Sequence, residues 1–105
     1  MESLEQRIEL IDRHMARCKV ALSSESKVSP VSLAVFAELE RKLAKLKGVV
    51  NGDPHVAREH LIETEQAADC LKVAALADPG LSPGAVEGAI TTHDSLCVLK
   101  HEWTG

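Results

Sequence analysis

His93, Cys97 and His101 recur at every fourth residue near one end of this chain, and His14 and Cys18 repeat the interval near the other. On a helix that interval stacks side chains on one face. Each group therefore aims imidazole nitrogen and thiol sulfur in one direction, and these are donors that zinc and iron accept. If the two helices are neighbours, His14, Cys18, His93 and Cys97 form a candidate metal set. Axial register limits it. At about 1.5 Å per residue, His93 comes level with residues 11 to 15, so His14 can meet His93 while Cys18 and Cys97 fall on either side of that level. A site then takes His93, His14 and one of the two cysteines. The opposing reading makes both cysteines small core residues and His93 a neutral core imidazole hydrogen-bonded to a carbonyl or to a threonine such as Thr64 or Thr92.

Other patterns offer less. His55, Glu59 and Glu63 also share a helical face, but it is the charged face that a helix turns to water. Ferritin-like di-iron sites need Glu-x-x-His pairs, and no histidine here has a glutamate three residues before it. Acyl transfer needs a nucleophile beside a base with an oxyanion donor nearby; Cys97 and His93 one turn apart are a pair that arises often by chance, so no catalytic constellation is complete. Gly80, Gly84 and Gly88 lack the P-loop pattern; Gly84 and Gly88 with Ala85 and Ala89 suit close helix packing instead. The run Leu43–Gly48 resembles the segment around the phosphorylated histidine of histidine-phosphotransfer bundles, with lysine where the nucleophile would stand.

The elements that position these residues are marked by their ends. Ser29-Pro30, Asp53-Pro54 and Ser82-Pro83 each join a capping side chain to a proline suited to the first helical turn. Ser3 with Gln6 fits a capping box that opens a helix running to about Leu22. Asn51-Gly52 and Asp78-Pro79-Gly80 end the second and third helices. Leu4, Ile8, Ile11, Met15, Cys18 and Leu22 form a seam on the first; Ser32, Phe36, Leu39, Leu43, Leu46 and Val50 repeat it on the second; Ala57, Leu61, Thr64, Ala68, Leu71 and Ala75 line the third. On the fourth, Val86, Ala89, Ile90, Leu96 and Cys97 cluster around His93, which places the imidazole on the apolar face. Short connections predict antiparallel neighbours, hence an all-α, up-down-up-down antiparallel four-helix bundle forming a single domain over residues 1–105.

The chain has 105 residues, of which 45% are hydrophobic but only 2% aromatic, so Leu, Ile, Val and Ala must build the core, a composition suited to helices. A net charge of -4 without a basic stripe argues against nucleic acid as a partner. With no long apolar run and no basic-then-apolar leader, the reading is cytoplasmic, with no membrane partner. Three cysteines without CxxC spacing read as reduced thiols. A second set of apolar residues is expected to face outward: Leu10, Ala16, Val20, Leu33, Ala34, Ala37, Ala44, Ile62, Val73, Leu76, Val98 and Leu99. Ile62, Val73 and Leu76 on one side of the third helix mark an interaction surface. The expected function is therefore association, as an adaptor, accessory or structural bundle that forms a homo-oligomer, a dimer by preference, and engages a larger protein partner. No cofactor is expected on that reading. The alternative is a metal- or cofactor-binding bundle centred on His93, with zinc or iron as the ion.

Overall fold

Each helix begins where a short oxygen-bearing side chain can take up an otherwise unpaired backbone N–H. The computed structural model describes residues 3–103, with helices α1 (Leu4–Ser23), α2 (Pro30–Val49), α3 (Pro54–Ala77) and α4 (Pro83–Glu102). Ser3 accepts from the Gln6 N–H while the Gln6 side chain accepts from Ser3, closing the expected capping box. Ser29, Asp53 and Ser82 accept from the backbone of Val31, His55 and Ala85, each with proline in the first turn. Among the described residues there is no strand. Among the described residues, too, no helix is long and apolar enough to cross a membrane.

The four helices pack against one another around a shared interior of Ile8, Ile11, Leu39, Leu43, Leu61, Leu71, Leu96 and Leu99. The seams expected on α1, α2 and α3 are those that are buried, except that Leu4 and Val50 are half-buried at the ends. Contacts are broad between α2 and α3, α3 and α4, and α1 and α4, and narrow between α1 and α2. Along that narrow side Lys19 meets Glu40 at 3.1 Å and Asp12 meets Lys47 at 2.7 Å. These exposed pairs bridge a groove floored by Met15, Ala16, Leu43 and Ala44.

One face is turned differently from the expectation. The buried residues of α4 are Ala85, Ala89, Thr92, His93, Leu96 and Leu99. Their centre lies about 70° around the helix from His93, at 100° per residue. Leu99, expected outside, is core at 1% exposure, while Val86, Ile90 and Cys97 are half-buried. The rotation is physically inexpensive because Ala85 and Ala89 are small and the Thr92 hydroxyl donates to the Gly88 carbonyl at 2.9 Å, so this hydroxyl is not left unpaired inside. It moves His93 to the rim of the core. Ile62 and Ala37 are also half-buried; the other residues expected outside are exposed.

The loops at one end are tied together by Asp78, which follows α3 and is buried. Its carboxylate accepts from the Ser29 N–H at 2.9 Å, the Ser32 hydroxyl at 2.7 Å and the Gly80 N–H at 2.9 Å. The Ser29 N–H, then the Ser32 hydroxyl, hold this carboxyl below its ordinary range. Gly80 is the place where glycine is required by space. A Cβ there would lie 1.8 Å from the Lys27 carbonyl oxygen, in the loop between α1 and α2.

Gly88 carries no such constraint. A Cβ on it would stand 3.6 Å from the Cys18 side chain, ordinary contact distance. Burial beneath α4 pushes the Cys18 thiol from 9.0 up to about 11. Because the folded value is the higher one, the unfolded chain loses its proton first as pH rises, and stability falls between those two values. The loss is on the order of 3 kcal/mol for a two-unit shift. The unfolding free energy from denaturant melts should therefore fall more steeply with pH between 8 and 11 in wild type than in Cys18→Ala. Identical slopes would show that this thiol contributes nothing.

Candidate metal centre

The residues most able to do chemistry come from two adjacent helices, α3 and α4. His93 and Cys97 are one turn apart on the flank of α4 that faces α3, and the Cys97 Sγ lies 3.3 Å from His93 Nε2. Across the helix boundary the Cys97 thiol donates to Glu65 Oε1 at 3.2 Å. Glu65 Oε1 and His93 Nε2 are 4.0 Å apart. These three donor atoms all lie within 4.8 Å of one another. Asp69, one turn further along α3, brings Oδ1 to 3.4 Å from the same nitrogen. His93 and Glu65 side chains are 11% and 13% exposed, whereas Asp69 is 61% exposed, so the cluster is walled by protein on one side and open on the other.

The second ring nitrogen fixes what the first can do. His93 Nδ1 stands 3.0 Å from Asp94 Oδ1. A carboxylate only accepts, so Nδ1 carries a hydrogen toward Asp94, and Nε2, which faces Cys97, Glu65 and Asp69, is the nitrogen a metal would take once it is free of its own hydrogen. Carboxylate-oriented imidazoles of this kind are the usual form of histidine at zinc.

Electrostatics separates two uses of this geometry. The order Cys97, His93, Asp94 has the outline of a nucleophilic triad. A nucleophilic thiol, however, needs a depressed pKa. Here burial, and then the hydrogen bond and charge of Glu65, push the Cys97 thiol up to about 11. Glu65 itself is held below the ordinary carboxylate value: burial opposes its charge, but the Cys97 thiol and Lys100 outweigh that. A protonated thiol between carboxylates is a poor nucleophile. The same surroundings, rich in negative charge, favour a cation that displaces the thiol proton.

His93 and Cys97 are thus brought together as the helical interval predicts, but the rest of the predicted set is elsewhere. His14 and Cys18 lie beside Arg17, Gly84, Glu87, Gly88 and Thr91, on the opposite flank of α4. The reason is the rotation of α4, which turns Gly84, Gly88 and Thr91 toward α1 and His93 toward α3. His14 therefore does not meet His93. Nor do the threonines bond the imidazole: Thr64 donates to the carbonyls of His60 and Lys42, and Thr92 to that of Gly88. His101 is exposed, as are His55, Glu59 and Glu63. Glu65, Asp69 and Lys100 are the members that the sequence reasoning omits. A signal was present in the count from the turn at residues 78–82: Glu65 precedes it by about as many residues as separate it from Cys97.

The chain matches no protein-family model, no curated protein and no solved structure.

Proposed function

We propose that this protein is a zinc-binding four-helix bundle, a single domain with an up-down-up-down antiparallel arrangement, in which Glu65, His93 and Cys97 hold the ion. The observation that carries the reading is the meeting of one carboxylate oxygen, one imidazole nitrogen and one sulfur at spacings of 3.2 to 4.0 Å. Around a tetrahedral zinc with bonds of about 2.0 to 2.3 Å, neighbouring ligand atoms stand about 3.3 to 3.6 Å apart. The cluster therefore needs only small side-chain adjustments to close on the ion. Asp69 or water supplies the fourth position. Mixed sulfur, nitrogen and oxygen donors suit zinc better than magnesium or calcium, which take oxygen alone, and suit iron as the second choice. The antiparallel arrangement is supported by the order of the cross-helix pairs: Lys19 with Glu40 and Asp12 with Lys47, and Asp69 with His93 and Glu65 with Cys97. Titration of metal-free protein with zinc against a chromophoric chelator should show one site per chain with calcium unable to compete. Failure to withdraw zinc from the chelator would overturn the reading.

A second reading, association with another copy of this chain in the cytoplasm, is favoured by Val73 and Leu76, each 60% exposed on the outer side of α3. Ile62, the third residue of that expected surface, is half-buried and contributes less. On this reading sedimentation of the metal-free protein gives a dimer mass that Val73→Asp with Leu76→Asp reduces to the monomer. A wild-type monomer across the concentration range would remove it.

A further inference from the structure

The two oxygens of Glu65 have different partners. Oε1 faces the Cys97 thiol at 3.2 Å, and Oε2 faces the Lys100 ammonium at 3.3 Å. Lys100 is itself set in place by its backbone, because Arg58 from the first turns of α3 donates to the carbonyls of Lys100 at 3.2 Å and Trp103 at 2.5 Å. That clamp fixes the last turn of α4 against α3. Lys100 cannot be a ligand while it is an ammonium, and its charge repels a cation at the cluster. Its position nonetheless decides how Glu65 can bind.

We propose that Lys100 is a specificity-determining positioning residue that occupies Glu65 Oε2 and so confines Glu65 to one-oxygen coordination. The inference rests on the zinc reading above. A carboxylate free at both oxygens can bind a metal through either one or both, and two-oxygen binding raises the coordination number. With Oε2 held by Lys100, the protein supplies one oxygen, one nitrogen and one sulfur, and a single further ligand completes a tetrahedron. Four-coordination suits zinc; manganese and calcium require more oxygens. Lys100 therefore restricts the site to small tetrahedral ions at some cost in overall attraction for cations.

The test uses the full chain with cobalt(II) as a spectroscopic stand-in for zinc, followed by zinc and manganese competition. Wild type should give the intense visible bands of tetrahedral cobalt with a thiolate charge-transfer band. Lys100→Met frees Oε2, so the visible bands should weaken toward a five-coordinate spectrum. The preference for zinc over manganese should fall by about tenfold, the lower end of the change in metal affinity that loss of a ligand-orienting group produces. Lys100→Arg keeps the ion pair and should restore both readouts. Lys100→Leu provides a second neutral variant that cannot donate to Oε2, and circular dichroism confirms that each remains helical. An unchanged cobalt spectrum and unchanged selectivity in both neutral variants would overturn the role of Lys100 while leaving the site intact. Tighter zinc binding with a retained tetrahedral spectrum would also overturn it, since Lys100 would then act by repulsion alone. Absence of any cobalt spectrum in wild type would instead remove the zinc reading on which the inference stands.

Discussion

Cys97→Ala is expected to lower zinc affinity by more than about 100-fold, because disturbing even an outer partner of a ligand costs 10–100-fold and this change removes the only sulfur donor. His93→Leu should do the same. Cys18→Ala and His14→Ala should leave affinity unchanged, as both residues lie on the other flank of α4. The contrast distinguishes a site between α3 and α4 from one between α1 and α4. The thiol of Cys97, pushed up to about 11 by burial and Glu65, must also lose its proton to bind. Wild-type affinity should then strengthen by up to about tenfold per pH unit across the neutral range, with close to one proton released by the thiol. In Cys97→Ala that dependence should flatten. Equal affinity in Cys97→Ala and wild type would assign the ion to other residues.

Gly80→Ala should be the most damaging small substitution in the loops. The added methyl would stand 1.8 Å from the Lys27 carbonyl oxygen and 2.6 Å from its carbon. Both atoms are backbone, so relief requires the two loops to separate. Overpacking of this kind costs typically 1–3 kcal/mol, and rigid atoms on both sides put Gly80 toward the upper end. The melting temperature should fall by roughly 10–20 °C, at about 4–8 °C per kcal/mol in a domain of this length. Separation would also strain the bonds from Asp78 to Ser29 and Ser32, which cross the same junction. Gly48→Ala is the matched control: nothing lies within 4 Å of its added carbon, and it sits in α2. There alanine should stabilise by about 0.5–1 kcal/mol through helix propensity. Similar melting temperatures for the two variants would refute the close approach at Gly80.

The contrast between these positions shows what could be read from the chain alone. Helix starts at Ser3, Ser29, Asp53 and Ser82 were legible because a cap acts within three residues of itself. So were the seams of α1 to α3, whose residues recur at intervals of three and four along one face. On α4 two faces compete, one with Val86, Ile90 and Cys97, the other with Ala85, Thr92 and Leu99. Side-chain size favours the first; packing against α3 and α1 selects the second. That rotation carried His93 away from His14 and toward Glu65. The pairing of His93 with Cys97 survived it, because residues four apart turn together. Glu65 carried no signal of its own on a helix rich in glutamate, and only its distance from the turn placed it opposite Cys97. Gly80 was legible as a helix stop but not as a contact, since Lys27 is remote in sequence.

X-ray absorption at the zinc edge of the protein loaded with one equivalent is the most direct test of the centre. The predicted first shell is one sulfur at about 2.3 Å with three nitrogen or oxygen atoms at about 2.0–2.1 Å, and the sulfur should vanish in Cys97→Ala. A shell of oxygen and nitrogen alone in wild type would contradict the assignment of Cys97, His93 and Glu65 as the metal centre.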